Sequence, residues 1–135
     1  MISHKHKCIF IHIPKCAGTT IEEAFGIVTK DNSARQNPML HGWDIKNKLH
    51  LQHATPQQLI DKKIISPEVW DSYYKFIIVR NPWQRAVSSY NWIYNQGFKD
   101  SFYNFLKKQG RFSNILNDNS NHSYRGDHLT LQKEY

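Results

Sequence analysis

The chain has 135 residues, 39% of them hydrophobic, with 4 Trp, 7 Tyr and 7 Phe. That is enough apolar content for one folded domain and too much for a disordered chain. Eighteen Lys and Arg against 11 Asp and Glu give a net charge of +7, which suits an anionic partner, but the cations are scattered and no nucleic-acid signature accompanies them. Cys8 and Cys16 are too few for a disulfide scaffold, and no Cys-x-x-Cys or paired-histidine spacing predicts a metal site.

Met1 to Lys7 leads into the first strand without a signal-peptide pattern, and no apolar run reaches membrane-spanning length. A cytoplasmic, reducing location is the expectation. Lys7-Cys-Ile-Phe-Ile-His-Ile13 is nearly continuous apolar and β-branched, which predicts a parallel strand covered on both faces. His12 lies within it and reads as structural. After the turn, Ile21, Ala24, Phe25 and Val28 follow helical spacing. Thr19 with Glu22, and Thr20 with Glu23, match a capping box. Lys30 to Lys48 is polar, with Asn37-Pro38 and His41-Gly42 as breakers, and reads as a long loop.

Thr55-Pro56-Gln57-Gln58 opens a second helix with a Thr cap, Pro in the first turn and Gln three residues on. Ser66-Pro67 opens a short third one carrying Val69 and Trp70. Tyr74 to Val79 reads as the second buried strand. Asn81-Pro82 then caps a long helix with Trp83, Ala86, Val87, Tyr90, Ile93 and Tyr94 on its inner side. Ser101 caps a last helix, with Phe102, Phe105 and Leu106 inside and Gly110 as its stop. Asn114 to His128 reads as loop. Strands alternating with helices predict one α/β domain over residues 1–135, a parallel sheet flanked by helices. Weak additional strands would have to lie near Leu49 or Leu129.

Both strands run into a polar turn and then a helix. Such a junction collects backbone N–H groups and the positive end of a helix dipole, a setting that suits phosphate or sulfate. The first turn, Pro14-Lys15-Cys16-Ala17-Gly18-Thr19-Thr20, adds an ammonium, two hydroxyls and a glycine that lets the backbone approach a ligand. It is P-loop-like in position but lacks the Walker pattern, because its lysine precedes the glycine. The second turn adds Arg80, Arg85 and Ser88. Arg80 sits at a strand's carboxyl end, where open α/β sheets bind ligands, and Ser88 leans back toward it along the helix. Two anion sites on neighbouring strands suit a nucleotide phosphorylated at both ends.

These segments resemble the sulfotransferases that use 3′-phosphoadenosine 5′-phosphosulfate, in particular the carbohydrate (Golgi-type and bacterial) family. Ile13-Pro14-Lys15-Cys16-Ala17-Gly18-Thr19-Thr20 is similar to that family's 5′-phosphosulfate loop. Arg80-Asn81-Pro82-Trp83-Gln84-Arg85-Ala86-Val87-Ser88-Ser89-Tyr90 is similar to its 3′-phosphate segment. Between them, His53-Ala-Thr-Pro-Gln-Gln-Leu59 is similar to a family segment whose histidine can serve as catalytic base. His41 and His50 are weaker candidates. His128-Leu-Thr-Leu-Gln132 faintly resembles a later family stretch. Family domains continue well beyond that point, so the resemblance implies that a C-terminal part of the domain is missing here.

The resemblance implies transfer of a sulfuryl group from that nucleotide to an acceptor hydroxyl on a carbohydrate, with no metal required. His53 is then the base and Lys15 the charge on the leaving oxygen. Amides from Cys16, Ala17, Gly18, Thr19 and Thr20 hold the 5′ end, and Arg80 with Ser88 holds the 3′-phosphate. Two alternatives remain at this point: a kinase-like phosphoryl-transfer protein, and a module that binds the nucleotide or an anionic glycan without turnover.

Overall fold

A computed structural model describes residues 1–26 and 39–135. The readings of Val28 and of Asn37-Pro38 lie outside these residues. The sheet is built from β1 (Ile2–Ser3), β2 (Cys8–Ile11) and, far along the chain, a strand at Tyr74–Ile77. Between them come α1 (Gly18–Ala24), a hairpin of β3 (Trp43–Asp44) and β4 (Leu49–His50), α2 (Pro56–Asp61) and α3 (Pro67–Ser72). Next are β5 (Tyr74–Ile77), α4 (Pro82–Asn95), α5 (Phe102–Leu106) and α6 (Ser113–Asn117). Single 3₁₀ turns cover Leu51–His53, Gly110–Phe112, Gly126–Leu129 and Gln132–Glu134.

The sheet order is β1-β2-β5. β2 and β5 are parallel, with Phe10 opposite Phe76 and Ile11 opposite Ile77. β1 pairs antiparallel with β2, so the sheet is mixed rather than wholly parallel. Side chains alternate across the central strand. Ile9 and Ile11 enter a core with Leu51, Ala54, Leu59 and Ile65 from the α2–α3 side. Phe10 faces the other way, onto Phe76, Ile78, Ile21 and Phe25. A third cluster, Ile93, Phe105, Phe112, Ile115 and Leu116, joins α4 to the C-terminal helices.

Three expectations change. β5 is not covered on both faces: it is an edge strand, and Tyr74, Ile77 and Val79 are exposed while Phe76 and Ile78 pack inward. The polar stretch after Leu40 is not all loop, because Trp43–Asp44 pairs with Leu49–His50 and Asp44 closes the hairpin by accepting from the Lys46 and Asn47 amides. The Leu49 region therefore holds a strand, in a separate two-stranded sheet. The Leu129 region is a 3₁₀ turn, and Asn114 to His128 includes most of α6.

The inner face of α4 also differs. Arg85, Ser89 and Ile93 are its buried row, while Trp83 is 80% and Val87 46% exposed. Periodicity alone favours the apolar row, but a guanidinium whose three nitrogens each donate to a carbonyl can be buried in its place. Arg85 donates from Nε to the Pro14 carbonyl at 2.9 Å and from its two terminal nitrogens to the Thr130 and His128 carbonyls at 2.9 and 3.2 Å. It rivets the first loop to the C-terminal segment and is turned away from ligand. In α5, Phe105 is fully buried, whereas Phe102 and Leu106 are exposed and the helix ends at Leu106, before Gly110.

Candidate active site

The first loop leaves β2 through His12 and Ile13. Lys15 (φ 66°) and Ala17 (φ 63°) both adopt left-handed backbone, which costs a non-glycine residue about 1–2 kcal/mol. The Cys16 amide donates to the Ile13 carbonyl at 3.2 Å, and its thiol is buried, 3.6 Å from Gln132 Oε1. Cys16 thus shapes the turn, with its amide already engaged. Ala17 is the N-cap of α1 and supplies no side-chain bond, so neither threonine caps the helix. Glu22, expected as a capping partner, is instead 1% exposed, with Oε1 2.9 Å from His12 Nδ1. The opening amides of α1 have no intrahelical acceptor by helix geometry and stay available.

Gly18 is required by packing. A Cβ there would lie 1.9 Å from His12 Nε2. His12 is held neutral: burial pushes its pKa down to about 4, and only in part does the Glu22 hydrogen bond oppose that. On the partner, burial alone would raise the Glu22 carboxyl, but the bond from His12 together with the nearby N-terminal ammonium and histidines outweighs it and holds it below its ordinary range. A neutral imidazole donating Nδ1–H to a carboxylate satisfies both directions.

At the second junction the amides are not free. Pro82 has none, and those of Trp83 and Gln84 donate to Asn81 Oδ1 at 3.1 and 3.2 Å. Any anion there depends on side chains, chiefly Arg80 and Ser88. Arg80 is fixed by Gln132, whose amide group accepts from the Arg80 N–H at 2.9 Å and donates to its carbonyl at 2.8 Å. Its guanidinium reaches across to the Lys15 carbonyl at 3.4 Å.

His53 ends the 3₁₀ turn that follows β4, just before the Thr55 capping box of α2. Its Nδ1 is 2.5 Å from Asp127 Oδ2. Burial by itself would push the Asp127 carboxyl up, but the adjacent His53 and its hydrogen bond hold it well below the carboxylate range. An ionised Asp127 accepts the Nδ1 proton of His53, and with the proton held there an uncharged imidazole carries its lone pair on Nε2. His12, His50 and His128 surround this ring at centroid distances of 4.8, 6.0 and 5.7 Å. Burial lowers His50 to about 4 and His128 to about 3.

One cleft of about 600 Å³ collects these groups. Lys15, Ala17, Gly18 and Thr19 line it from the first loop, Arg80 and Ser88 from the second junction, and His53 from the turn before α2. Cys16 and Thr20 do not line it. His50 does, with its Nε2 against Arg125, whereas His41 does not. Trp92 forms part of the wall: His128 stacks on its indole at 4.9 Å, and the Lys15 ammonium lies 5.4 Å from its ring centre. Partial burial and the neighbouring Arg80 both lower the Lys15 pKa.

Asp127, Arg125, Gln132 and Trp92 were not expected at the site. Asp127 and Arg125 lie in an Asn/Ser-rich stretch with no periodicity, and Trp92 reads from its sequence position as one aromatic among many. The only signal was the faint likeness beginning at His128, which runs through Gln132. No helix among the described residues is long and apolar enough to cross a membrane. No curated protein and no solved structure matched the chain significantly. A family model described as the sulfotransferase family matches residues 1–133, and the chain belongs to that family.

Proposed function

We propose that the protein moves a sulfuryl group from 3′-phosphoadenosine 5′-phosphosulfate to a hydroxyl of a carbohydrate acceptor. The observation that carries the reading is the shared cleft: Lys15 and the start of α1, Arg80 with Ser88, and a carboxylate-held His53 open onto one space. The P-loop-like turn offers the amides of Ala17, Gly18 and Thr19 and the Lys15 ammonium to the 5′ end of the donor. Arg80 and Ser88 bind the 3′-phosphate by charge-assisted bonds.

In the transfer, His53 Nε2 takes the proton of the acceptor hydroxyl as its oxygen bonds to sulfur. The bond from sulfur to the bridging phosphate oxygen breaks, and its electron pair stays on that oxygen. Lys15 stabilises the charge that grows there. Asp127 is a positioning residue: it keeps the Nδ1 proton in place and supports the imidazolium that forms. By analogy with phosphoryl transfer, most of the acceleration comes from alignment and electrostatics.

Thermal stabilisation by adenosine 3′,5′-bisphosphate, by ATP with Mg²⁺ and by a heparin-like polymer tests the donor site. The bisphosphate should stabilise most, and a turnover assay with the sulfated nucleotide and glycan acceptors should then show sulfated product. Preference for ATP with Mg²⁺, or bisphosphate binding without any turnover, would overturn the reading.

A further inference from the structure

We propose that His53, Asp127 and His128 form a binding site for a divalent transition-metal ion of the zinc class, and that an ion bound there switches off the base. The second clause rests on the role given to His53 above; the site itself does not. Each of the three residues offers a ligand atom, and these atoms all lie within 4.8 Å of one another. His53 ends one 3₁₀ turn, and Asp127 and His128 sit side by side in another, more than seventy positions later.

Two imidazoles and one carboxylate are the donor set that zinc takes in sites with three protein ligands, and His53 and His128 line the cleft. Imidazole selects such ions over Mg²⁺ or Ca²⁺, which take oxygen. A second observation points the same way. Among the described residues, Asp127 Oδ1 and His128 Nδ1 are buried and find no hydrogen-bond partner, although buried polar atoms are normally paired. The frame around them is firm: Arg85 grips the His128 carbonyl, and Trp92 stacks on the His128 ring.

With bonds of about 2.0–2.1 Å, tetrahedral ligands sit about 3.4 Å apart. His53 Nδ1 and Asp127 Oδ2, now 2.5 Å apart across a hydrogen bond, would separate by about 1 Å to admit the ion. The proton on Nδ1 must leave for the metal to bind there, and the neutral ring carries it on Nε2 instead. The nitrogen that faces the acceptor then donates a hydrogen bond and cannot take a proton. One ion therefore changes the tautomer of the base without blocking the donor loop.

His4 and His6 are exposed imidazoles near the N-terminus that compete for zinc, so the test uses the full chain carrying His4→Gln and His6→Gln. Titration calorimetry with ZnCl₂, and visible absorption with Co²⁺, should report one ion per chain and a tetrahedral cobalt spectrum. Asp127→Asn and His128→Asn, each checked for fold by circular dichroism, should weaken zinc binding at least about tenfold. Zinc should also raise the thermal midpoint of the parent, and raise that of each variant less, a readout that does not depend on activity. Absence of saturable binding, or parent-like affinity in both variants, overturns the site. A parent that transfers sulfuryl groups at full rate with zinc bound overturns the switch, whereas a parent that binds zinc but has no transferase activity fails the proposed function and leaves the site standing.

Discussion

Nδ1 of His53 and Oδ2 of Asp127 meet at 2.5 Å across 74 positions of sequence, and that contact decides which nitrogen of the histidine is free to act. The expected consequence is that His53→Ala and Asp127→Asn both lower turnover, His53→Ala by about 10²–10⁴-fold. Asp127→Asn should do so through loss of the correct tautomer. Affinity for adenosine 3′,5′-bisphosphate should stay close to wild type in both, since neither side chain is assigned a phosphate. Full turnover by Asp127→Asn would remove its positioning role.

Arg80 is expected to read the 3′-phosphate. Arg80→Ala should weaken adenosine 3′,5′-bisphosphate by about 1.5–3 kcal/mol, the usual worth of a charged hydrogen bond. Adenosine 5′-phosphosulfate lacks that phosphate and should lose much less. Calorimetry with both ligands decides it, and equal losses would assign Arg80 elsewhere.

Lys15 sits in the cleft above Trp92. Charge on the leaving oxygen grows only as the bond breaks, so Lys15→Ala should lower kcat more than it raises the donor Kd. Single-turnover kinetics at saturating donor separates the two. Lost affinity with kcat intact would confine Lys15 to binding.

Gly18 has no room for a side chain. Its Cβ would lie 1.9 Å from the buried His12 ring, so Gly18→Ala should destabilise the fold by about 1–3 kcal/mol through overpacking. The cost should shrink when His12→Ala is present as well. Urea unfolding of the single and double variants measures this coupling, and additive costs would show that the contact is relieved by other means.

Stability should fall in mild acid. His12 and His50 are held down to about 4 and His128 to about 3 by burial, against 6.5 for an ordinary histidine. Above about pH 7 all three are neutral folded or unfolded and contribute no pH dependence. As pH drops below 6.5 the unfolded chain takes up protons that the fold refuses. Each histidine then costs up to about 1.4 kcal/mol per pH unit, down to its folded value. Glu22, whose folded pKa is lowered, acts in the same direction: its contribution is present above the unfolded carboxylate pKa and disappears as pH falls through the folded one. Thermal midpoints at pH 7.5, 6.0 and 5.0 should decline in that order, and a flat profile would show that the histidines protonate without unfolding the core.

Much of the scaffold and half of the site could be read locally. β2, the Thr55 and Ser66 caps, and the start of α4 at Asn81-Pro82 follow from short-range rules of hydrophobic continuity and capping. The two strand-to-helix turns were visible for the same reason, and they bring Lys15 and Arg80 into one cleft because β2 and β5 are adjacent and parallel. What neighbours in sequence could not supply was every contact made across long separations. Glu22 looked like a cap because Thr19 stands three residues before it, but a buried carboxylate is stabilised more by His12 than by a helix end in solvent. Arg85 looked like part of the second anion site, but three carbonyls from two distant segments close on it. His53 was legible as a candidate, but its tautomer was not. That depends on Asp127, a residue in a stretch without pattern, and only the packing of the Gly126–Leu129 turn against α4 carries it to the histidine.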